Sequence, residues 1–312
     1  MITAVSLNPS IDLTLSIDGF VYGGLNRVHT AQSDAGGKGM NVALAAARLN
    51  AAARCIGFIH QKNADEFETK LRENGADFDF VALPGGARTN IKLRDDQTGQ
   101  ITEINQSGGA VTADDLLRIE ALVKKHAAAG GFMVFSGSLP PGCPADFYQT
   151  LIEIVSRAGC RCALDADGAR LTAGIEAKPY LIKPNRFELE SMAGRALADA
   201  TAICAAAREI IDRGVSVVAV SLGAEGALIV DRSQALYACA LDVEVQSTVG
   251  AGDSMVAALA AGFDAGKPLE EAFRMGVACS AAACMTEGTR TFDHETYTRL
   301  LPRVAIERVG GA

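Results

Sequence analysis

A carboxylate directly follows a glycine-rich turn at the start of an alanine-rich segment, and this arrangement suits phosphoryl transfer. The residues are Gly250, Ala251, Gly252 and Asp253. Glycine permits tight backbone turns, and the helix predicted to follow exposes unpaired N–H groups that bind phosphate. Because an anion weakens such a site, we expect Asp253 to accept a proton from a hydroxyl that attacks phosphorus. The alternative is that Asp253 only caps the helix or complements its dipole.

A second glycine-rich turn, Gly36-Gly-Lys-Gly-Met-Asn41, also precedes a helical segment. It is not a P-loop, because Gly39 stands where Ser or Thr should follow the lysine, and it does not match the dinucleotide-binding motif. The backbone N–H groups of the turn, the Lys38 ammonium and the Asn41 amide suit a polyol or a sugar phosphate. A turn used only for chain reversal is the alternative.

Polar motifs follow three predicted strands, at the edge where open α/β sheets bind ligands. Ser138 lies in the turn after one strand, and residues 221–226 follow another and would face nucleotide phosphates or ribose. Asn185 and Glu188 follow the third strand with the spacing of a capping box. The same two side chains could hold water around Mg²⁺, which prefers carboxylates and retained waters. Both roles are compatible, and a plain turn is the alternative at Ser138.

The segments 12–32 and 88–105 lack helical periodicity and are polar and β-prone. Residues 95–99 predict the loop of a hairpin. Arg88 and Lys92 lie at even spacing and therefore on one face of the strand before that loop. Two aligned cations in an acidic protein favour phosphate binding over plain solvation. We predict that strands within these two segments form a small accessory sheet, called the lid below.

Elsewhere, strand-like apolar runs alternate with helical segments along the chain. This alternation is typical of βαβ units, with a mainly parallel sheet covered by helices on both faces. No low-complexity linker or internal repeat divides the chain. We therefore predict an α/β fold with a single domain over residues 1–312 and an inserted lid.

The composition excludes several classes of function. A net charge of −8 without a local run of Lys or Arg argues against nucleic-acid binding. No apolar run of membrane-spanning length is free of charges, and the N-terminus reads as a strand and not as a signal peptide. The eight cysteines lack metal-binding spacing, so we expect buried free thiols. These features predict a soluble, cytoplasmic protein.

As an ordered set, these motifs resemble those of the PfkB, or ribokinase-like, family of carbohydrate kinases. The motifs are Asn8-Pro-Ser-Ile-Asp12, Gly36-Gly-Lys-Gly-Met-Asn41, Ser136-Gly-Ser-Leu-Pro-Pro-Gly142, Lys183-Pro-Asn-Arg-Phe-Glu-Leu-Glu190, Ser221-Leu-Gly-Ala-Glu-Gly-Ala-Leu228 and Thr248-Val-Gly-Ala-Gly-Asp-Ser254. The resemblance implies a three-layer α/β/α core with a β-sheet lid, and ATP as phosphoryl donor. It also implies Asp253 as catalytic base, residues 250–252 as the anion hole, and Asn185 and Glu188 as the groups that hold Mg²⁺ through water.

The same resemblance assigns further ligand contacts. The residues expected at the sugar phosphate are Asp12, Gly37, Lys38, Asn41, Arg88, Asn90 and Ser138. The residues expected at the nucleotide are Lys183, Asn185, Ser221, Gly223, Gly226 and Thr248. The residues expected around a monovalent cation, K⁺, are Ser247, Val249, Ala283 and Gly288.

Within the family, the chain is most similar to the 1-phosphofructokinase subgroup, with the tagatose-6-phosphate kinases close by. The implied acceptor is D-fructose 1-phosphate, phosphorylated at its 6-hydroxyl, and the implied assembly is a homodimer formed through the lid. Residues 287–290 are closer to the minor 6-phosphofructokinases, which makes fructose 6-phosphate an alternative acceptor. The similarity to the tagatose-6-phosphate kinases makes tagatose 6-phosphate another. A sugar-phosphate sensor without turnover is an alternative from another class, although the intact Asp253 argues against it.

Overall fold

A ten-stranded sheet runs through the computed structural model, which describes residues 1–128, 130–286 and 291–310. The strands are β1 Ile2–Ser6, β2 Ser10–Ile17, β3 Val28–Gly36, β4 Ala53–His60, β5 Asp77–Leu83, β6 Arg88–Asp95, β7 Ile101–Asn105, β8 Phe132–Ser136, β9 Arg161–Asp165, β10 Leu181–Ile182, β11 Val217–Ser221, β12 Ala227–Val230, β13 Ala235–Ala238 and β14 Glu307–Arg308. The helices are α1 Lys38–Arg48, α2 Ala64–Glu73, α3 Ala113–His126, α4 Phe147–Arg157, α5 Gly168–Glu176, α6 Arg186–Ala193, α7 Ala200–Asp212, α8 Ala251–Asp264, α9 Leu269–Cys284 and α10 His294–Leu300. Two 3₁₀ turns cover Gly223–Glu225 and Leu301–Arg303.

The large sheet has the strand order β14-β13-β12-β11-β10-β9-β8-β1-β4-β5. Every pairing from β5 to β11 is parallel, whereas β12, β13 and β14 add an antiparallel edge. Strand β1, which pairs with β8 and β4, is buried along its whole length, as expected when helices cover both faces of a parallel sheet. The carboxyl ends of the parallel strands therefore share one edge, where the site lies.

Two hydrophobic cores lie on opposite faces of this sheet. One contains apolar residues of α1, α2, α8, α9 and α10, and the other contains apolar residues of α3 to α7. Alternation along β1 supplies both cores, since Ile2 and Ala4 belong to the first and Val5 to the second. The predicted α/β/α layering is confirmed.

The lid is a separate four-stranded sheet with the order β3-β2-β6-β7. Strand β2 pairs antiparallel with β3 and parallel with β6, and β6 forms the predicted hairpin with β7. Its strands extend beyond the predicted segment 12–32, because β2 begins at Ser10 and β3 continues to Gly36, where the glycine-rich turn starts. That the whole chain is one domain stays a prediction. Within the described residues, no helix has the length and apolar character needed to cross a membrane.

Candidate active site

Asp253 lies in the first turn of α8 and is only 5% exposed. Gly250 precedes the helix with φ of 80°, a left-handed conformation that favours glycine, and no side chain caps this N-terminus in the described structure. The Ala251 N–H donates to the Thr248 oxygen at 3.4 Å, so the N–H groups of Gly252 and Asp253 are the ones available to an anion among the described residues. The Asp253 carboxylate instead accepts a hydrogen bond from Nδ2 of Asn41, at 2.9 Å. This geometry supports a role for Asp253 beyond capping.

The pKa of Asp253 is raised from 3.8 to about 6, mainly by burial. The charge of Asp165 also contributes to this rise, while Lys38, the Asn41 hydrogen bond and Lys183 act in the opposite direction. A carboxylate with a pKa near neutrality is a stronger base than an exposed aspartate and is still ionised at neutral pH. Asp253 is thus suited to accept a proton from a hydroxyl group.

The pH dependence of activity should report this pKa. We expect kcat/KM to rise with pH through about 6 and then level off, since only the ionised form of Asp253 accepts a proton. The Asn41 hydrogen bond lowers the pKa of Asp253, so Asn41→Ala should move the inflection to higher pH. A sugar phosphate also titrates near this pH, with a second pKa of about 6. An inflection that stays in place in Asn41→Ala therefore belongs to the substrate and contradicts the assignment.

A charge cluster lies beside Asp253, centred on the buried Asp165 at the end of β9. Asp165 is within 3.4 Å of Nζ of Lys38 and of Nζ of Lys183, and Oγ of Ser136 donates to it at 3.2 Å. Burial alone raises the pKa of Asp165, but the two ammonium groups outweigh burial and hold it below the usual value. The ionised Asp165 therefore positions two lysines. Asp165 was not among the predicted site residues, although it is the last residue of an apolar strand and the predicted site motifs lie at or just after such strand ends.

A cavity of about 700 Å³ opens beside the start of α8. Four of the six residues predicted at the nucleotide line it, namely Ser221, Gly223, Gly226 and Thr248. Ala251 and Gly252 line it as well, so the uncapped helix start faces the same space. The volume and the largely apolar wall, which includes Val243, Met255 and Val277, suit a purine nucleotide.

The other two residues predicted at the nucleotide lie just outside the cavity wall. A Cβ atom on Gly252 would be 3.3 Å from Nζ of Lys183, so this ammonium lies against the helix start. Asn185 forms a parallel β-bridge with Ser221. Both residues are therefore adjacent to the cavity, and Lys183 adds positive charge where phosphates would be bound.

A smaller cavity, of about 150 Å³, is lined by Lys38, Arg88 and Ser138 together with Asn8 and Asp167. Asn8 is the first residue of the motif Asn8-Pro-Ser-Ile-Asp12, and no role was predicted for it. Its Nδ2 donates to Oγ of Ser138, and its backbone oxygen accepts from Nε of Arg88. Two cations and several hydroxyl and amide groups thus converge on a space suited to a small phosphorylated ligand.

The remaining residues predicted at the sugar phosphate are arranged around this smaller cavity. Gly37, with φ of 119°, permits the turn into α1, and a Cβ atom at this position would lie 3.2 Å from Cα of Pro9. Asn90 accepts from Arg88 and donates to Asp12. Asp12 also pairs with the buried Lys92 at 3.4 Å. The prediction that Lys92 is available to a ligand is wrong, because the buried Asp12 neutralises it inside the lid.

Asn185 and Glu188 form the predicted capping box. Oδ1 of Asn185 accepts from the Glu188 N–H, and Oε2 of Glu188 accepts from the Asn185 N–H, both at 2.8 Å. Oε1 of Glu188 has no hydrogen bond in the described part of the chain. Burial raises the pKa of Glu188, opposed by the Asn185 hydrogen bond and by Lys183. A half-buried carboxylate with one free oxygen fits the predicted water-mediated Mg²⁺ site, so both roles stay compatible.

Glu188→Gln separates the metal role from the capping role. Glutamine retains the capping hydrogen bond, so we expect little change in thermal midpoint but a higher Mg²⁺ concentration for half-maximal activity. The control is Asp115→Asn in the capping box of α3, formed with Thr112 away from both cavities. A titration of activity against Mg²⁺ beside a melting curve measures both effects. If Glu188→Gln leaves the Mg²⁺ requirement unchanged, Glu188 only caps α6.

The structure places part of the predicted monovalent-cation site together. The Ser247 N–H donates to the Cys284 carbonyl oxygen at 3.2 Å, which brings the segment before α8 against the end of α9. The N–H of Val249 donates to Oγ of Ser247. The carbonyl oxygen of Ala283 accepts from Oγ1 of Thr286. Gly288, like the rest of 287–290, lies outside the described residues.

Comparison with known proteins identifies relatives over nearly the whole chain. The family model described as pfkB family carbohydrate kinase matches residues 5–296. The chain is 34% identical to the 1-phosphofructokinase of Bacillus subtilis (strain 168) over 311 residues, covering 99% of the chain and 100% of the relative. It is 40% identical to the 1-phosphofructokinase of Xanthomonas campestris pv. campestris over 281 residues, covering 88% of each.

The fold is also similar to that of solved structures. The crystal structure of phosphofructokinase-2 from Escherichia coli in complex with potassium superposes with a TM-score of 0.91 at 31% sequence identity. The alignment covers 97% of this chain and 98% of that one. The similarity therefore includes both the three-layer core and the lid.

Proposed function

The chain belongs to the pfkB family of carbohydrate kinases, and we propose that it transfers the γ-phosphoryl group of ATP to the 6-hydroxyl of D-fructose 1-phosphate, giving fructose 1,6-bisphosphate. The observation that carries this proposal is the position of Asp253. Its neighbours Ala251 and Gly252 line the larger cavity, and its partner Asn41 lies one turn after Lys38 of the smaller cavity. A buried base with a raised pKa is thus located between a nucleotide-sized and a sugar-sized space.

Different residues bind the acceptor, accept its proton and stabilise the transferred phosphoryl group. Lys38, Arg88 and Ser138 bind the phosphate already on the sugar and orient its free hydroxyl towards Asp253. Asp253 accepts the hydroxyl proton as the oxygen attacks the γ-phosphorus of ATP, and the bond between this phosphorus and the bridging oxygen breaks to release ADP. The N–H groups at the start of α8, with Lys183 beside them, stabilise the negative charge that develops on the transferred group.

Mg²⁺ would be held through water by Glu188 and Asn185. When bound, the ion neutralises charge on the phosphate oxygens of ATP. The ordered capping box fixes the direction of the Glu188 carboxylate, which leaves its free oxygen for a water ligand. Ser247, Val249, Ala283 and Gly288 are proposed to bind K⁺, and the potassium complex of the Escherichia coli neighbour supports this proposal.

We further propose a homodimer formed through the lid. Several large apolar side chains of the lid and its connections are exposed in the single chain, including Tyr22, Leu25, Val28, Ile101 and Ile104. Such a patch suits burial against a second subunit. A cytoplasmic location is also proposed, because eight free cysteines suit a reducing compartment.

Fructose 6-phosphate is the second candidate acceptor, since solved phosphofructokinase-2 structures superpose closely on this chain. The test measures ADP release with fructose 1-phosphate, fructose 6-phosphate and tagatose 6-phosphate at equal concentration. We expect the highest kcat/KM with fructose 1-phosphate. A preference for fructose 6-phosphate or tagatose 6-phosphate would agree with kinase activity but contradict fructose 1-phosphate as the acceptor. No turnover with any of the sugar phosphates would favour a sensor.

A further inference from the structure

We infer that Arg186 and Glu225 form a positioning pair that connects the turn at the nucleotide cavity to the helix carrying Glu188. The inference rests on the proposed function, in which the larger cavity binds the nucleotide. Both residues belong to motifs of the sequence, but neither has a part in the reaction described so far. The pair would hold the nucleotide turn and the metal-linked helix in one fixed arrangement.

The turn in question is the 3₁₀ segment Gly223–Glu225, followed by Gly226. Gly223, Ala224 and Gly226 line the cavity. No residue of the 3₁₀ segment is buried, so hydrophobic packing does not fix its position. Gly223 and Gly226 have φ values of 61° and 106°, in the left-handed region that favours glycine. Backbone hydrogen bonds from the Leu222 N–H to the Gly226 oxygen and from the Gly226 N–H to the Gly223 oxygen hold the shape of the turn. Its position relative to α6 depends on further polar contacts.

Glu225 supplies those contacts with its side chain and its backbone. Nη1 and Nη2 of Arg186 donate to the two carboxylate oxygens of Glu225, at 2.9 and 2.7 Å. The hydroxyl of Tyr237 donates to the backbone oxygen of Glu225 at 2.6 Å. The two parallel bonds of a guanidinium and a carboxylate fix orientation as well as distance. Arg186 therefore sets the direction from which the turn approaches α6.

Arg186 is the first residue of α6, directly after the N-cap Asn185. Below the ion pair, the Ser221 N–H donates to the Pro184 oxygen at 3.1 Å, so the end of β11 is already attached to the same segment. The ion pair extends this attachment to the tip of the turn. A turn held in place before the nucleotide arrives does not have to be ordered on binding. Loss of the pair should therefore weaken nucleotide binding and leave sugar binding unchanged.

The expected effect is modest, because the side chains of Arg186 and Glu225 are 31% and 62% exposed. An ion pair of this exposure corresponds to a change of about two- to fivefold in affinity. The effect of losing the pair should be smaller at high salt, which screens the two charges. Titration calorimetry in the presence of Mg²⁺ measures the effect as a change in the dissociation constant of ADP, without any acceptor sugar.

The experiment compares four proteins: the parent, Glu225→Gln, the charge-swapped Arg186→Glu/Glu225→Arg, and the control Glu209→Gln. Glu209 pairs with Arg195 and is 57% exposed, so the control removes a similar ion pair that does not line the cavity. We expect Glu225→Gln to weaken ADP binding about two- to fivefold at low salt. The charge swap should restore most of the affinity, and the control should match the parent. In steady-state assays the KM for ATP should rise in Glu225→Gln, while the KM for the sugar phosphate and kcat stay constant.

Three results would overturn the inference: unchanged ADP binding in Glu225→Gln, an equal loss in Glu209→Gln, or a charge swap that binds ADP no better than Glu225→Gln. The last result would mean that Arg186 contacts the nucleotide itself. If the first of these results comes with a lower melting temperature of Glu225→Gln, the pair only stabilises the fold. If the parent protein binds no ADP, the result contradicts the proposed function, on which this inference rests.

Discussion

Asp253→Asn should reduce kcat by about 10²–10⁴-fold, the usual contribution of a positioned general base, while ATP still binds. Asparagine preserves the size of the side chain and can still accept the hydrogen bond from Asn41, but it cannot take the proton of the attacking hydroxyl. Single-turnover assays measure the loss in the chemical step, and nucleotide titration shows that the site persists. Turnover within about threefold of the parent, where a base would contribute at least 10², would contradict the assignment.

Asp264→Asn is the matched control, because Asp264 is the last residue of the same helix. It pairs with the N-terminal ammonium at 2.7 Å and lines neither cavity. The control should retain parental activity. An equal loss in both variants would mean that disturbance of α8, and not removal of a base, lowers the rate.

The same Asp253 substitution should stabilise the fold at neutral pH. The carboxyl holds its proton more tightly in the folded state, so ionisation costs folding stability as pH rises from 3.8 to about 6. Above that range the full penalty applies, at most about 3 kcal/mol for a shift of about two units. Asparagine carries no such penalty. Its melting temperature should therefore exceed that of the parent at about pH 8 and match it only well below pH 3.8, where the carboxyl is protonated in both states.

The fold could be predicted from the sequence wherever apolar runs were long and uniform. Strands such as β8 and β11 are almost fully buried, and their composition alone indicates the centre of a parallel sheet. The edges were less predictable. Strand β5, Asp77–Leu83, alternates polar and apolar residues at a half-exposed edge, and β14 has only two residues. Such short or mixed segments depend on tertiary contacts more than on their own composition.

The candidate site was predictable where glycine or a strand end marked it. Gly250, with φ of 80°, is required by the turn into α8, and the sequence alone indicates that turn. The charge cluster was not predictable, because Lys38, Asp165 and Lys183 are far apart in the chain and meet only when β9 and β10 lie side by side. A sequence indicates which residues can carry charge, whereas burial and pairing decide which charges remain available. The pairing of Lys92 could not be predicted from the sequence either, since its partner Asp12 lies on a different lid strand.

Arg88→Ala should raise the KM for fructose 1-phosphate far more than the KM for ATP. Arg88 lines the smaller cavity, and among the described residues its Nη2 has no hydrogen-bond partner. A charge-assisted hydrogen bond contributes about 1.5–3 kcal/mol, which corresponds to roughly 10- to 150-fold in affinity. The preference for fructose 1-phosphate over unphosphorylated fructose should narrow by a similar factor, because only the phosphorylated sugar loses this contact.

Arg88 also has a structural role that the experiment must separate from binding. Its Nε donates to the Asn8 oxygen, and its Nη1 donates to Asn90 and to the Gln106 oxygen, so its removal can disturb the lid. Arg94→Ala is the control, since Arg94 lies on the same strand and pairs with Asp96 at 2.7 Å. We expect Arg94→Ala to leave both KM values unchanged and Arg88→Lys to recover part of the sugar-phosphate affinity. Equal increases in both KM values for Arg88→Ala would mean that Arg88 shapes the lid, and the phosphate of the acceptor would then be bound by Lys38 and Ser138 without it.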